Sequence, residues 1–442
     1  MTTRTTRWRL NPTDEMLHQA ATALGSSRIV QVLWRLPGPL PERELHAEWQ
    51  RLDRGLLSRT AAGSAVPGAR RKWVAASNTH RPAIDRTPLT PDTALAWADA
   101  QALTPLPADS SRLWRLAAAP YAEGCLVSLT VPHFRSDGMG LLHAIAARTP
   151  ARQPHDSDVT DALGQTTRAL TRTLSWLLRE PRHRRQDVLR ALATLSASGR
   201  APQPASTPRY FSTAVLTVPA DTWHDVARRH HGTGNTLLLE IAANLVRTHV
   251  PRAHRQDVQV GVPMSLRRCA GDEQANALVV VPLRLPGGAA HHQDLRPTRH
   301  ATRTLLEHSG AHSATLVPEA LWHLLPSRAA AALKAPGAQQ TDVVASNFGR
   351  AEQDVTRFAG RTAESLALRT MNVPGLVPER ARLRASLCLV QSGREMTVTV
   401  TGMPDHFGDS AHLRHLVSEE FAAWGLPVRS WWTSTPHPVR KG

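Results

Sequence analysis

Val131–Leu142 reads VPHFRSDGMGLL, and His133, Asp137 and Gly138 within it form an HxxxDG pattern. The residues before it, Cys125–Val131 (CLVSLTV), are β-branched and alternate, which predicts a buried strand. Those after it, Gly138–Arg148 (GMGLLHAIAAR), predict a helix. A histidine at such a strand end can be held with its ring directed into a cleft. Its ordinary pKa of about 6.5 lets it take a proton from a hydroxyl or amine and later return it. An aspartate four residues on can fix the loop by pairing with an arginine, and a glycine lets the chain turn into the helix. His133 and Asp137 are therefore the candidate catalytic pair, with Gly138 shaping the turn.

Outward from this turn the chain alternates strands and helices. Towards the N-terminus, Arg28–Leu36 (RIVQVLWRL) predicts a strand and a helix starts near Glu42, while Thr87–Ser111 reads as a long loop-rich stretch. Val159–Arg179 and Gln186–Ser196 predict basic amphipathic helices, and Ser196–Pro208 (SASGRAPQPASTP) has the small, polar, proline-rich composition of a linker. Beyond it come a strand at Arg209–Val218, a helix Thr222–His230 capped from Asp221, and an apolar helix Thr236–Val250. Strands at Gln259–Met264, Ala277–Leu285, Asp342–Ser346, Ala385–Val390 and Glu395–Thr401 follow. Helices near Thr298–His308 and Pro318–Leu333 interrupt them, and Ser410–Trp424 closes the chain. No repeat of 20–50 residues is present. The expected organisation is one subdomain over residues 1–198 carrying the motif, a linker over 199–208, and a second subdomain over 209–442.

Composition bounds the function. At 442 residues and 41% hydrophobic the chain is globular, and neither an apolar leader nor a run long enough to cross a bilayer is present, so a cytoplasmic protein is expected. Cys125, Cys269 and Cys388 form no CxxC pair, and His230–His231 and His291–His292 lack a third ligand at metal spacing, so no metal is expected. The net charge of +17 comes from 53 basic residues, of which only Lys72, Lys334 and Lys441 are lysines. They are scattered and accompany no nucleic-acid-binding motif, so nucleic acid is not the expected partner. The same field draws an anionic small molecule or an acidic protein. GxSxG, GxxxxGK[ST], HExxH and GxGxxG are absent, which removes the usual support for serine hydrolase, P-loop, zincin and dinucleotide readings.

The sequence resembles the coenzyme-A-dependent acyltransferase superfamily, which includes condensation domains of nonribosomal peptide synthesis and wax-ester synthases. The family's HHxxxDG aligns its catalytic second histidine with His133 and its usually structural aspartate with Asp137, while Pro132 replaces the first histidine. Pro105–Leu116 (PLPADSSRLWRL), Gly232–Val246 (GTGNTLLLEIAANLV), Val260–Leu285 (VGVPMSLRRCAGDEQANALVVVPLRL) and Ser346–Gly349 (SNFG) match further family segments in order, so the likeness spans roughly residues 8–425. The resemblance implies an α/β (α+β) fold of two chloramphenicol-acetyltransferase-like subdomains around a central tunnel. Its activity would be transfer of an acyl group from a phosphopantetheine thioester to a hydroxyl or amine, with His133 as general base and no cofactor. The implied donor is acyl-coenzyme A or an acyl chain on an acidic acyl- or peptidyl-carrier protein, and the acceptor is a small molecule. Arg267 or Arg268 is expected to pair with Asp137, and Asn347 to orient either the thioester or its own loop. Val159–Arg185 is a candidate membrane-surface contact. A catalytically inactive condensation-like scaffold or binding module is the alternative.

Overall fold

The computed structural model describes residues 8–24, 27–66, 69–147, 211–267, 272–307, 317, 341–371 and 382–432, with scattered positions between 159 and 175. Its longer helices are α1 (Pro12–Leu24), α2 (Glu42–Asp53), α3 (Pro91–Leu103), α4 (Gly138–Ala146), α5 (Ala220–Arg229), α6 (Gly234–His249), α7 (Arg296–Glu307) and α8 (Ser410–Ala423). In the first half the strands are β1 (Ile29–Leu36), β2 (Arg59–Ala62), β3 (Lys72–Ala75), β4 (Ala83–Ile84), β5 (Arg115–Tyr121) and β6 (Gly124–Pro132). The second half supplies β7 (Ser212–Pro219), β8 (Val258–Ser265), β9 (Leu278–Leu285), β10 (Val343–Arg350), β11 (Arg357–Phe358) and β12 (Arg361–Thr362). It continues with β13 (Ser365–Met371), β14 (Ala385–Ser392), β15 (Glu395–Gly402) and β16 (Ser430–Trp431).

Two sheets carry the fold, a five-stranded one ordered β13-β1-β6-β5-β4 and a seven-stranded one ordered β16-β7-β15-β14-β10-β8-β9. Alternation explains β1 and β6. Val30, Val32, Trp34 and Leu36 share a core with Cys125, Val127, Leu129 and Val131, which α4 covers with Leu141, Leu142 and Ile145. The opposite face, Leu33 with Leu126, packs against α3 through Leu95 and Trp97. In the second sheet, α6 supplies an almost continuous buried surface from Leu237 to Val246, because strands on one side and helices on the others enclose it.

The two halves interlock through β13, which comes from beyond residue 212 yet pairs antiparallel with β1, from Ile29↔Met371 to Arg35↔Ser365. Arg369 on β13 is fully buried, with Nη1 2.6 Å from Asp99 of α3 and Nε donating to Gln31 Oε1 at 2.6 Å. Thr399 on β15 donates to the Leu368 carbonyl at 2.7 Å, joining the second sheet to the same strand. A division near residue 200 thus leaves one strand of the first sheet on the far side of it. The expected linker over 199–208, the helices at Gln186–Ser196 and Pro318–Leu333, and most of Val159–Arg185 lie outside the described residues.

Three local expectations change. Thr87–Ser111 contains α3, started by Pro91 at its first turn and by reciprocal Thr90–Thr93 capping. Helix α5 begins at Ala220, so Asp221 lies in its first turn, where a carboxylate suits the helix dipole, and caps nothing. Helix α6 begins earlier than expected, at Gly234, because Thr233 accepts from Thr236 N at 3.2 Å and donates its own N–H to Thr236 Oγ1 at 2.7 Å. No described helix is long and apolar enough to cross a membrane.

Candidate functional site

Strand β6 ends at Pro132, and His133 adds one more rung, its N–H donating to the Arg28 carbonyl at 2.7 Å. The chain then turns sharply, Arg135 N–H donating to the Pro132 carbonyl at 2.9 Å. Arg135 anchors the outside of the turn. Its fully buried guanidinium donates to the carbonyls of Arg59 and Ala108 and lies 4.8 Å over the Phe134 ring. Burial pulls its pKa down to about 9.

Asp137 latches the inside of the turn. One oxygen caps α4 by accepting from Gly140 N at 2.7 Å, and the other accepts from Arg267 Nη1 and from Ala277 N, each at 2.8 Å. The Asp137 N–H donates back to the Ala275 carbonyl at 3.0 Å, and Arg267 Nη2 spans to the carbonyls of Gln274 and Ala275. Of the two arginines expected beside Asp137, Arg267 holds the position, and Arg268 lies outside the described residues. Asp137 therefore faces protein on every hydrogen-bonding side, and its carboxylate ties the motif to the loop before β9. A Cβ on Gly138 would overlap the Phe348 ring, and one on Gly140 would lie 2.6 Å from Arg267 Nη2. Both glycines are needed for close approach.

His133 sits deep in the molecule with part of its surface open to a cavity of about 730 Å³ between the two halves. Burial depresses the imidazole below its ordinary pKa, and the nearby Arg28 charge pushes the same way, against Asp137 and Asn276. A neutral imidazole at pH 7 is the consequence, which is the state a general base requires.

Asn276 was not singled out from the sequence as a functional residue. Its backbone N–H and Nδ2 both donate to Asp14 Oδ1, at 3.0 and 2.9 Å, and Nδ2 also donates to the Phe134 carbonyl at 3.1 Å. These donors settle which way the amide faces. Asn276 Oδ1 and His133 Nδ1 are left as buried atoms without hydrogen-bond partners of good geometry, and the amide favours the protonated ring. The amide therefore lies close to the ring, and in the Nδ1–H tautomer Nε2 is the basic nitrogen. Asp14 lies on α1, and its burial raises its pKa to about 7. The sequence signal for Asn276 was its place in the family-like segment Val260–Leu285. For Asp14, 262 residues away, there was none.

Asn347 also lines the cavity, where its Oδ1 accepts from Gly349 N at 2.9 Å and its Nδ2 lies 3.4 Å from Asn235 Oδ1. Gly349 takes a φ of 66°, so this amide shapes the end of β10. Of the other polar candidates, Asp409 caps α8 by accepting from His412 N at 2.8 Å. His292 donates towards Glu420 at 2.9 Å, which raises its pKa. Among the described residues no group of three His, Cys, Asp or Glu side chains is placed to hold a metal ion.

No protein-family model and no curated protein sequence matches the chain. Solved structures do. The first condensation domain of the calcium-dependent antibiotic synthetase, in complex with substrate analogue 3a, superposes with a TM-score of 0.57 at 16% identity, covering 96% of this chain and 97% of that one. The wax ester synthase/diacylglycerol acyltransferase from Marinobacter aquaeolei gives 0.57 at 13% identity, covering 94% and 98%. The starter condensation domain of rhizomide synthetase, in complex with C8-CoA and Leu-SNAC, gives 0.55 at 15% identity, covering 97% and 96%. The chain thus has the fold of these condensation domains and of this wax ester synthase over nearly its full length.

Proposed function

We propose that this protein is a condensation-type acyltransferase that moves an acyl group from a phosphopantetheine thioester to a hydroxyl or amine. The observation that carries the reading is the placement of His133 at the cavity between the halves, its turn latched by Asp137, Arg267 and Ala277. In the proposed reaction Nε2 takes the proton from the acceptor as its oxygen or nitrogen attacks the thioester carbonyl carbon. The tetrahedral oxyanion collapses, the C–S bond breaks, and the imidazolium returns the proton to the departing thiolate. An ester or amide and a free thiol result, and the imidazole is regenerated. The thioester is already activated, so no further cofactor enters. Asp137 acts on architecture in this scheme, and Asn347 holds the loop that forms one cavity wall.

The net charge of +17 suits a donor carrying phosphates or an acidic carrier protein. The test is incubation with acyl-coenzyme A, with acylated carrier protein and with a short uncharged acyl-pantetheine, each with a panel of hydroxyl and amine acceptors, followed by mass spectrometry. Acyl transfer that disappears in His133→Ala is the expected result. Absence of transfer from all three donors, together with tight capture of a partner, would establish the scaffold reading instead.

A further inference from the structure

The cavity is lined by three arginines, Arg28, Arg267 and Arg382, and by one carboxylate, Asp137. Two of the arginines are matched. Arg267 is paired with Asp137 at 2.8 Å, and Arg382 Nε with Asp342 at 3.0 Å. Arg28 has no carboxylate or hydrogen-bond acceptor among the described residues. It is exposed and borders the cavity.

Strand register sets where this unmatched cation stands. Ile29 pairs with Pro132 at the end of the β1–β6 ladder, and the His133 N–H continues it to the Arg28 carbonyl. Arg28 is therefore the cross-strand partner of His133. Side chains directly opposite on an antiparallel pair rise from the same face with Cβ atoms about 4.5–5.5 Å apart. An anion gripped by this guanidinium lies beside whatever group meets the imidazole.

A guanidinium that faces a cavity with no acceptor among the described residues has its donors free for a ligand. Planar carboxylates fit its fork of donors. We propose that Arg28 is a substrate-binding residue that takes a free carboxylate on the acceptor or on the acyl group, close to the reacting centre. An acid joined to a carrier through its carboxyl has no carboxylate left. The site therefore selects either a free hydroxy or amino acid as acceptor, or a dicarboxylic acyl thioester as donor. Only the choice between these two rests on the acyl-transfer reading. The anion site itself does not.

Two measurements separate them. In the first, hexanoate and hexanamide are titrated by ligand-observed NMR at fixed ionic strength into wild type, Arg28→Met, Arg28→Lys and Arg303→Met. Arg303, exposed on α7, controls for the loss of one positive charge. Wild type and Arg303→Met are expected to hold the carboxylate about tenfold or more tightly than the amide, the scale of a charged hydrogen bond. Arg28→Met should lose that preference with its melting unchanged, and Arg28→Lys should keep part of it. A preference that survives Arg28→Met, falls equally in Arg303→Met, or is missing from wild type overturns the proposal. In the second, leucine is compared with leucinamide as acceptor for hexanoyl-coenzyme A, and glutaryl- with pentanoyl-coenzyme A as donor to leucinamide. The pair whose kcat/KM ratio collapses in Arg28→Met names the substrate bearing the carboxylate. If turnover occurs and neither ratio responds to Arg28→Met, the proposal fails. If no pair turns over while the binding preference holds, the anion site stands and the acyltransferase reading fails.

Discussion

Asp137→Asn should unfold the protein earlier by an amount set by one buried guanidinium. Asp137 and Arg267 are 1% and 4% exposed, and the carboxylate receives hydrogen bonds from Gly140 N, Arg267 Nη1 and Ala277 N. Asparagine caps a helix as well as aspartate does, so the bond to Gly140 can survive. Its amide nitrogen would then face two donors, and Arg267 would keep only the carbonyls of Gln274 and Ala275. Removing one partner of a buried pair costs about 3–5 kcal/mol, and the remaining carbonyls favour the lower end. At about 2 °C per kcal/mol for a large domain, melting should fall by about 6–10 °C. Circular-dichroism melting of Asp137→Asn, Arg267→Met and the double variant checks this, and the double should lose less than the sum of the singles. If Asp137→Asn melts with the wild type, the latch is not what holds the turn. If in addition it abolishes transfer, Asp137 belongs to the chemistry and its architectural role is wrong.

His133→Ala should lower acyl-transfer kcat by about 10²–10⁴-fold with melting retained, and near-normal turnover by the folded variant would remove this residue from the mechanism. Because burial depresses the His133 pKa, its neutral form persists below pH 6.5, so the acidic limb of kcat/KM should lie below that pH. The same shift means the unfolded chain binds the proton more readily, so this histidine's contribution to stability is present above about pH 6.5 and lost on acidification. Denaturant midpoints of wild type and His133→Gln between pH 5 and 8 would show the difference. Asn276→Ala removes the amide beside the His133 ring and strips Asp14 of its Nδ2 donor, leaving the backbone donor in place, so it should lower kcat more than it raises KM and destabilise by about 1–3 kcal/mol. An unchanged pH–rate profile would separate Asn276 from the imidazole. Gly138→Ala drives a methyl into the Phe348 ring and should cost about 1–3 kcal/mol, recovered in part by Phe348→Leu; failure of that rescue would place the strain elsewhere.

Most of the sheet framework was legible because its strands alternate and its helices carry caps. Strands β1 and β6 pack alternate residues on two different cores, which is the pattern their sequences carry. What was hidden has physical reasons. Helix α3, PDTALAWADAQAL, has alanines around its whole circumference, so no apolar stripe marks it. Strand β5, RLAAAPY, lacks β-branched residues and is held by its neighbours on either side. Strand β13 alternates adequately but is short, and its partner β1 lies more than 300 residues earlier. No strand was predicted over Ser365–Met371, and local pattern would not have said which sheet receives it.

The site divides along the same line. His133, Asp137 and Gly138 sit within six residues and could be read together, whereas everything that gives them character arrives from afar. Arg267 is 130 residues from Asp137, and Asp14 is 262 residues from Asn276. Arg28 reaches His133 only because one register places Ile29 opposite Pro132, and a shift by one residue would send its side chain to the other face of the sheet. The total of +17 announced attraction for anions without saying where it acts. Among the described residues, carboxylates pair with Arg267 and Arg382, and Arg28, without one, stands across the ladder from His133. On the proposal above, specific recognition falls to the one cavity-lining guanidinium that no described carboxylate matches, while the matched ones shape the protein.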